Sequence, residues 1–184
     1  MFRIPLVIML AFFSAAALAD AQAGKKKAQL CLICHKPGFA AATLPTLEGQ
    51  QAEYLRNQIV AFKENRRSSP IMQTNVKALS DEDIRDIVDY FSSSPPAKVT
   101  FGLDATQVAA GKDAAESRGC ARCHLPDYSG NGEIPRLAGM DPAYTATQIE
   151  AFVRGERAHP EIGKQSGISS ADTAALAQYF AQVD

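Results

Sequence analysis

Two five-residue stretches, CLICH at Cys31–His35 and CARCH at Cys120–His124, decide how this chain folds. Each contains two cysteines separated by two residues and a histidine directly after the second cysteine. Four cysteines could form disulfides, redox dithiols or a tetrahedral zinc site. The cysteine pairs of zinc sites are usually separated by about 12 to 20 residues, whereas these motifs lie eighty-nine residues apart. None of these alternatives requires the histidine, and C-x-x-C-H is the attachment signature of c-type haem.

The spacing of the motif has a chemical reason. Two thiols about one helical turn apart can add to the two vinyl groups on one edge of a porphyrin. A histidine next in line then brings its imidazole to the iron. The chain has four cysteines and all of them lie in the two motifs. The sequence therefore predicts two covalently bound c-type haems.

The N-terminal segment predicts export. MFRIPLVIMLAFFSAAALADA has a basic residue, Arg3, then an apolar run from Ile4 to about Ala17 and a small-residue site typical of secretory signal peptides. We expect cleavage after Ala19 or Ala21 and a periplasmic mature protein without a membrane span. Retention as an anchor is the alternative, although the run is shorter than the roughly 20 apolar residues of a membrane span. With 19 basic and 20 acidic residues, bulk charge gives no reason to expect a nucleic acid partner.

The sequence around the motifs is repeated. PTLEGQQAEYLRNQIVAFKENRRSSP, which begins at Pro45, aligns with PRLAGMDPAYTATQIEAFVRGERAHP, which begins at Pro135. Proline, leucine, glycine, tyrosine, glutamine, phenylalanine and arginine recur in step. The repeat predicts four segments: a signal peptide at 1–19, domain 1 at 20–95, a Pro- and Ser-marked linker at 96–103 and domain 2 at 104–184.

The fold class predicted for both domains is all-α. A helix leads into each motif, and in domain 2 Asp104 and Gln107 could form a capping box at its start. A second capped helix is predicted in each domain, at Ser80 with Asp83 and at the repeated pair, Ser169 with Asp172. No alternating apolar pattern indicates a sheet. Each half has only about eighty residues, so the covalent haem would supply the missing apolar core.

These motifs resemble class I cytochromes c, and more closely the tandem di-haem cytochromes of the c-four type, over essentially the whole mature chain. The resemblance implies two tandem class I cytochrome c domains, each wrapped around a covalent haem. It also implies single-electron transfer in the periplasm with redox proteins such as a periplasmic dehydrogenase or a membrane oxidase. Carried over by position, the haem anchors are Cys31, Cys34, Cys120 and Cys123, and the proximal iron ligands are His35 and His124.

The resemblance assigns a further role to residues on both repeats. The backbone carbonyls of Pro45 and Pro135 would accept the second ring N–H of the proximal histidines and so fix their tautomer. Arg67 and Arg157 would either contact the haem propionates or remain solvated.

The sixth iron ligand differs between the domains. Met72, thirty-seven residues after His35, stands on a proline-marked loop where the family has its axial methionine. The equivalent residue of domain 2 is Ile162, which has no lone pair for iron. The second iron is therefore expected to take His159. An open or water-bound iron, or ligation by Met140, remains the alternative.

Two functions follow from this difference. The favoured function is a two-centre electron carrier, or the electron-accepting subunit of a dehydrogenase, and not an enzyme. The alternative is a haem enzyme or small-ligand sensor that uses an open iron in domain 2.

Overall fold

The computed structural model describes residues 15–37, 44–164 and 166–183. These residues are mostly helical and contain no strand beyond one isolated bridge between Asn131 and Ile134, which confirms the predicted all-α class. Eight helices lie in the described ranges: α1 Ala15–His35, α2 Ala52–Lys63, α3 Pro70–Val76, α4 Asp81–Ser93, α5 Ala105–Ser117, α6 Ala121–His124, α7 Pro142–Arg154 and α8 Ser170–Gln182.

Each domain is built on one close contact between the helix before its motif and its last helix. In domain 1, α1 packs on α4, and in domain 2, α5 packs on α8. A Cβ atom at Gly24 would lie 2.3 Å from the carbonyl oxygen of Asp86, and one at Gly111 would lie 2.0 Å from that of Ala175. Glycine is therefore required at both crossings because a methyl group would force the helices apart.

The approach to the motif differs between the domains. Helix α1 continues through the motif to His35, whereas in domain 2 the helix stops at Ser117 and restarts as α6. Domain 2 has two more residues between its crossing glycine and its first motif cysteine than domain 1. The two additional residues are accommodated by a left-handed turn at Gly119, whose φ is 67°. The predicted single helix into the motif is therefore correct for domain 1 and interrupted in domain 2.

Most predicted helix starts are confirmed. Ser80 with Asp83 at the start of α4, and Ser169 with Asp172 at the start of α8, form complete capping boxes. The capping box predicted at Asp104 is only half formed. The Asp104 carboxylate accepts the backbone N–H groups of residues 106 and 107, but the backbone N–H of Asp104 donates to Gln178 Oε1 on α8 at 2.8 Å. The first residue of domain 2 is thereby tied to the last helix.

The domains meet through α2, α7 and the loop at 129–136. The backbone N–H of Tyr54 donates to the carbonyl of Gly132 at 3.2 Å, and Asn57 Nδ2 donates to Glu133 Oε1 at 2.8 Å. Gln51 Nε2 donates to the carbonyls of Ser129 and Gly130 at 2.9 and 3.2 Å. The N-terminal half of α2 is thus docked on the loop that follows the second motif.

Within the described residues, no helix is long and apolar enough to cross a membrane. Residues 1–14, which contain most of the apolar run of the predicted signal peptide, lie outside the described residues.

Candidate haem sites

The first motif occupies the last turn of α1. His35 ends this helix and is 7% exposed, whereas Cys34 is exposed and Cys31 is half-buried. Burial raises the pKa of the Cys31 thiol. Both cysteines are free thiols on one short stretch of helix, so the two sulfurs and the imidazole share one end of domain 1.

The orientation of His35 is set by a backbone carbonyl. The His35 Nδ1 atom lies 2.8 Å from the carbonyl oxygen of Pro45. A carbonyl can only accept, so Nδ1 carries the proton and the lone pair lies on Nε2. Burial lowers the pKa of His35, although the bond to Pro45 acts in the opposite direction. A neutral ring with a free Nε2 lone pair suits a metal ligand.

The second motif repeats this arrangement on α6. His124 is buried, and its Nδ1 donates to the carbonyl of Pro135 at 2.9 Å. Burial again lowers the pKa of the histidine. Cys120 is half-buried and Cys123 is exposed, and both are free thiols. The two sites therefore share the histidine-to-proline bond and the exposure of their thiols, even though one motif lies on a long helix and the other on a single turn.

Two of the alternative uses of four cysteines, a disulfide framework and a tetrahedral zinc site, find no support in the described residues. All four thiols are free, and no group of three or more His, Cys, Asp or Glu side chains able to hold a metal ion is present within the ranges given above. Neither a disulfide framework nor a tetrahedral thiolate site is formed. The paired thiols and oriented imidazoles fit covalent haem, because each site offers two sulfurs for the vinyl groups and one nitrogen for the iron.

Met72 lies on a helix, and the predicted loop is in this respect wrong. Ser69 and Pro70 start α3, and the N–H of Met72 is hydrogen-bonded to Ser69 Oγ at 3.4 Å. Proline at the first helical position is favoured because its missing N–H would have no partner there. Helix α3 packs on α2, and the Met72 side chain is half-buried. Its neighbour Ile71 is 70% exposed.

His159 lies beside the proximal histidine of domain 2. The planes of the His124 and His159 rings are within 12° of parallel, and their centroids are 6.3 Å apart. Phe152 packs on His159 with ring centroids 5.0 Å apart. The Nδ1 atom of His159 accepts the backbone N–H groups of Glu161 and Ile162, each at 3.1 Å. This acceptor role places the proton of a neutral ring on Nε2.

The other two candidates in domain 2 have structural surroundings. Ile162 is partly buried and packs against the hydrophobic core of the domain. Met140 is buried, and its N–H donates to the carbonyl of Leu137 just before α7.

Arg67 and Arg157 form a nearly symmetric cluster between the domains. Arg67 donates to Gln58 Oε1 at 2.7 Å in its own domain and to Gln148 Oε1 at 2.8 Å in the other. Arg157 donates to Gln148 Oε1 and, across the interface, to Gln58 Oε1 at 3.1 Å. Each guanidinium also stacks on a phenylalanine ring of its own domain at 4.6 Å. These arginines are neither simply solvated nor confined to one domain.

Comparison with known proteins identifies the family. The sequence profile described as Cytochrome c matches residues 21–95 and again 108–184. The chain belongs to the cytochrome c family. It is a tandem, di-haem member with two covalently bound c-type haems, as its likeness to cytochrome c4 shows. Electron transfer is the function of these similar proteins.

Two curated relatives are similar to this cytochrome over most of its length. The thiosulfate dehydrogenase electron acceptor of Stutzerimonas stutzeri (strain A1501) is 34% identical, with 85% of this chain and 80% of the relative covered. Cytochrome c4 of Pseudomonas aeruginosa is 31% identical, with 89% of each chain covered.

Solved structures agree with these relatives. Reduced cytochrome c4 from Pseudomonas stutzeri superposes with a TM-score of 0.75 at 29% identity, covering 89% of this chain and 98% of that one. Thiosulfate dehydrogenase from Marichromatium purpuratum superposes with a TM-score of 0.73 at 28% identity. The match covers 88% of this cytochrome and 40% of the larger chain.

Proposed function

We propose that this cytochrome is exported to the periplasm with cleavage after Ala19 or Ala21, and carries single electrons from a dehydrogenase to a respiratory acceptor such as a membrane oxidase. One observation carries the proposal: His35 and His124 each donate Nδ1–H to a proline carbonyl and keep an Nε2 lone pair for iron. The partner class is supported by a relative described as the electron acceptor of thiosulfate dehydrogenase. A cytochrome subunit of sulfide dehydrogenase from Chlorobaculum tepidum also matches, over 34% of this chain.

The haem contacts proposed for domain 1 use three parts of the fold. The Cys31 and Cys34 thiols, at the end of α1, would form the covalent bonds, and His35 Nε2 would bind the iron. Met72, held on the first turn of α3, would supply a thioether ligand. A bound haem supplies an iron that accepts and releases one electron, and the thioether stabilises its reduced form. Domain 1 is therefore the higher-potential centre.

In domain 2, Cys120 and Cys123 would form the covalent bonds, and His124 and His159 would bind the iron. For His159 Nε2 to bind, its proton would move to Nδ1, and Nδ1 would give up the backbone N–H groups of Glu161 and Ile162. Two imidazoles that share one metal ion, each bound through nitrogen at about 2 Å, would have ring centroids within roughly 6 Å of each other. The separation of 6.3 Å between the His124 and His159 rings is close to that distance and supports this pairing. Because neither proposed ligand of this iron is a thioether, domain 2 is the lower-potential centre.

A second function is favoured by the hydrogen bonds of His159. If Nδ1 keeps both backbone N–H bonds, then Nε2 carries the proton of the neutral ring and has no lone pair for iron. His159 would then present an N–H donor to a small molecule on an open iron. Domain 2 would in that arrangement serve a sensor or a haem enzyme reduced through domain 1.

The experiment for the partner class is single-turnover reduction of the purified cytochrome. The oxidised protein is mixed with thiosulfate dehydrogenase and thiosulfate, with an otherwise identical reaction that lacks thiosulfate as the control. We expect both haems to be reduced, in a ratio of two electrons per chain, only when thiosulfate is present. Failure with thiosulfate dehydrogenase and with a sulfide dehydrogenase supplied with sulfide would contradict the proposed donor class.

A further inference from the structure

Gln50 is a buried polar residue of domain 1 whose side chain is bonded to domain 2. It is 5% exposed and lies just before α2. Its Nε2 donates to the carbonyl of Arg136 at 3.0 Å, and its Oε1 accepts the backbone N–H of Arg136 at 2.7 Å. The amide of Gln50 thus pairs with both backbone groups of one residue in the other domain.

The N–H group that Gln50 accepts belongs to the peptide unit of the second haem site. The bond between Pro135 and Arg136 carries the Pro135 carbonyl on one side and the Arg136 N–H on the other. The carbonyl accepts His124 Nδ1–H at 2.9 Å, and the N–H donates to Gln50 Oε1. A continuous chain of hydrogen bonds therefore joins a side chain of domain 1 to the imidazole of domain 2.

We propose that Gln50 is a positioning residue that lowers the reduction potential of the domain 2 haem from within domain 1. The inference rests on the proposed ligation of iron by His124. A peptide unit is conjugated, so a strong acceptor at its N–H increases the negative charge on its carbonyl oxygen. The Pro135 carbonyl then draws the Nδ1 proton of His124 more strongly and makes the ring a better donor to iron. A more electron-rich ligand stabilises the oxidised iron, which lowers the potential.

The tuning acts on one domain because the repeat is asymmetric at this position. The residue of domain 2 that corresponds to Gln50 is Met140. Its thioether has no N–H to donate and is a weak acceptor. Met140 therefore cannot provide the equivalent pairing for the peptide unit between Pro45 and Thr46. The hydrogen bonds of Gln50 therefore increase the difference in reduction potential between the two haems. The proposed sixth ligands shift the two potentials in the same direction.

Gln51 provides a matched control for loss of interface contacts. Its Nε2 bonds Ser129 and Gly130 of the same loop but contacts neither group of the Pro135–Arg136 peptide unit. Gln51→Met therefore removes hydrogen bonds between the domains and leaves the chain to His124 intact. Gln50→Met places in domain 1 the residue that domain 2 has at this position.

The test is a spectroscopic redox titration of the full-length di-haem protein and these variants. The Gln50→Met protein is held at the solution potential at which the domain 2 haem of the wild type is half reduced. We expect the reduced-to-oxidised ratio of that haem to be about two- to threefold higher than in the wild type. The potential of the domain 1 haem should not change in Gln50→Met. In Gln51→Met, the potentials of both haems should equal those of the wild type. In the reduced protein, the Nδ1–H proton resonance of His124 should move to lower frequency in Gln50→Met, while that of His35 stays in place.

Three outcomes decide the proposal. An unchanged domain 2 potential in Gln50→Met, or an equal rise in Gln51→Met, would overturn it. If Gln50→Met does not assemble with two haems, Gln50→Glu replaces it in the test, because glutamate keeps an acceptor for the Arg136 N–H. The potential of the domain 2 haem in Gln50→Glu should equal or fall below that of the wild type, and a rise would overturn the proposal. If His124 were not the iron ligand, its ring protons in the reduced wild type would lack the large shift that a haem imposes on a bound imidazole, so the two failures are distinguishable.

Discussion

The imidazole of His159 lies almost parallel to that of His124, with a centroid separation of 6.3 Å. In the domain 1 repeat, the residue that corresponds to His159 is Ser69, which caps α3. Domain 2 therefore has an aromatic nitrogen base at the position where domain 1 has a hydroxyl. This difference, together with the exchange of Met72 for Ile162, makes the two haem sites chemically unequal.

Carbon monoxide distinguishes the two possible roles of His159. A histidine-capped reduced iron resists carbon monoxide, whereas an open iron binds it at once. We expect the wild type to be largely inert and His159→Ala to bind at one haem only, as followed by the shift of the Soret band. Met140→Leu, as a control, should behave like the wild type. Immediate binding by the wild type at one haem would contradict ligation by His159 and favour the sensor or enzyme function.

Met72→Ala should remove the charge-transfer band between methionine sulfur and iron from the spectrum of the oxidised protein. The potential of one haem should fall, because thioether ligation favours the reduced iron and axial ligands shift haem potentials over a range of about 0.8 V. Both haems should remain attached, as checked by haem staining after denaturing electrophoresis. A band that survives in Met72→Ala and disappears in Met140→Leu would transfer the ligand role to Met140.

Gly111→Ala should destabilise domain 2. The added Cβ atom would lie 2.0 Å from the Ala175 carbonyl, and overpacking of this kind costs about 1–3 kcal/mol. Chemical denaturation followed by circular dichroism measures the change. Gly163→Ala is the control, because a Cβ at Gly163 meets nothing within 4 Å. Equal stability of the two variants would show that α5 and α8 can separate without cost.

The contacts that could be predicted from the sequence are those between near neighbours. The Ser80–Asp83 capping box and the proline start of α7 depend on residues within one turn, so their local pattern identifies them. The bonds from the motif histidines to Pro45 and Pro135 span ten and eleven residues and came from the resemblance. The pairing of Gln50 with Arg136 spans eighty-six residues, and it depends on how the domains dock. No periodic pattern encodes such a contact.

The directions in which Arg67 and Arg157 point could not be predicted from the sequence. An arginine after a helix can extend into solvent, towards a haem or across an interface, and its residue type is compatible with all three. Their shared acceptors, Gln58 and Gln148, recur in the repeat. That recurrence is the signal that could have indicated a paired contact.

Acid should remove the stabilisation that Asp83 provides. Hydrogen bonding to Lys27, followed by that to Ser80, holds the pKa of Asp83 well below its usual range. A folded-state pKa below the unfolded value contributes stability that is fully present above the ordinary carboxyl pKa of about 4. This contribution is lost as the pH falls through the folded-state pKa. The free energy of unfolding of the wild type should therefore exceed that of Asp83→Asn at neutral pH and approach it in acid, and a constant difference would contradict the role of the charge.

The most direct test of the account is a low-temperature electron paramagnetic resonance and near-infrared magnetic circular dichroism spectrum of the oxidised protein. These spectra report the sixth ligand at both irons in one sample. We expect equal amounts of one low-spin iron with histidine and methionine ligands and one with two histidines. Two irons with histidine and methionine ligands, or no methionine-ligated iron at all, would contradict it.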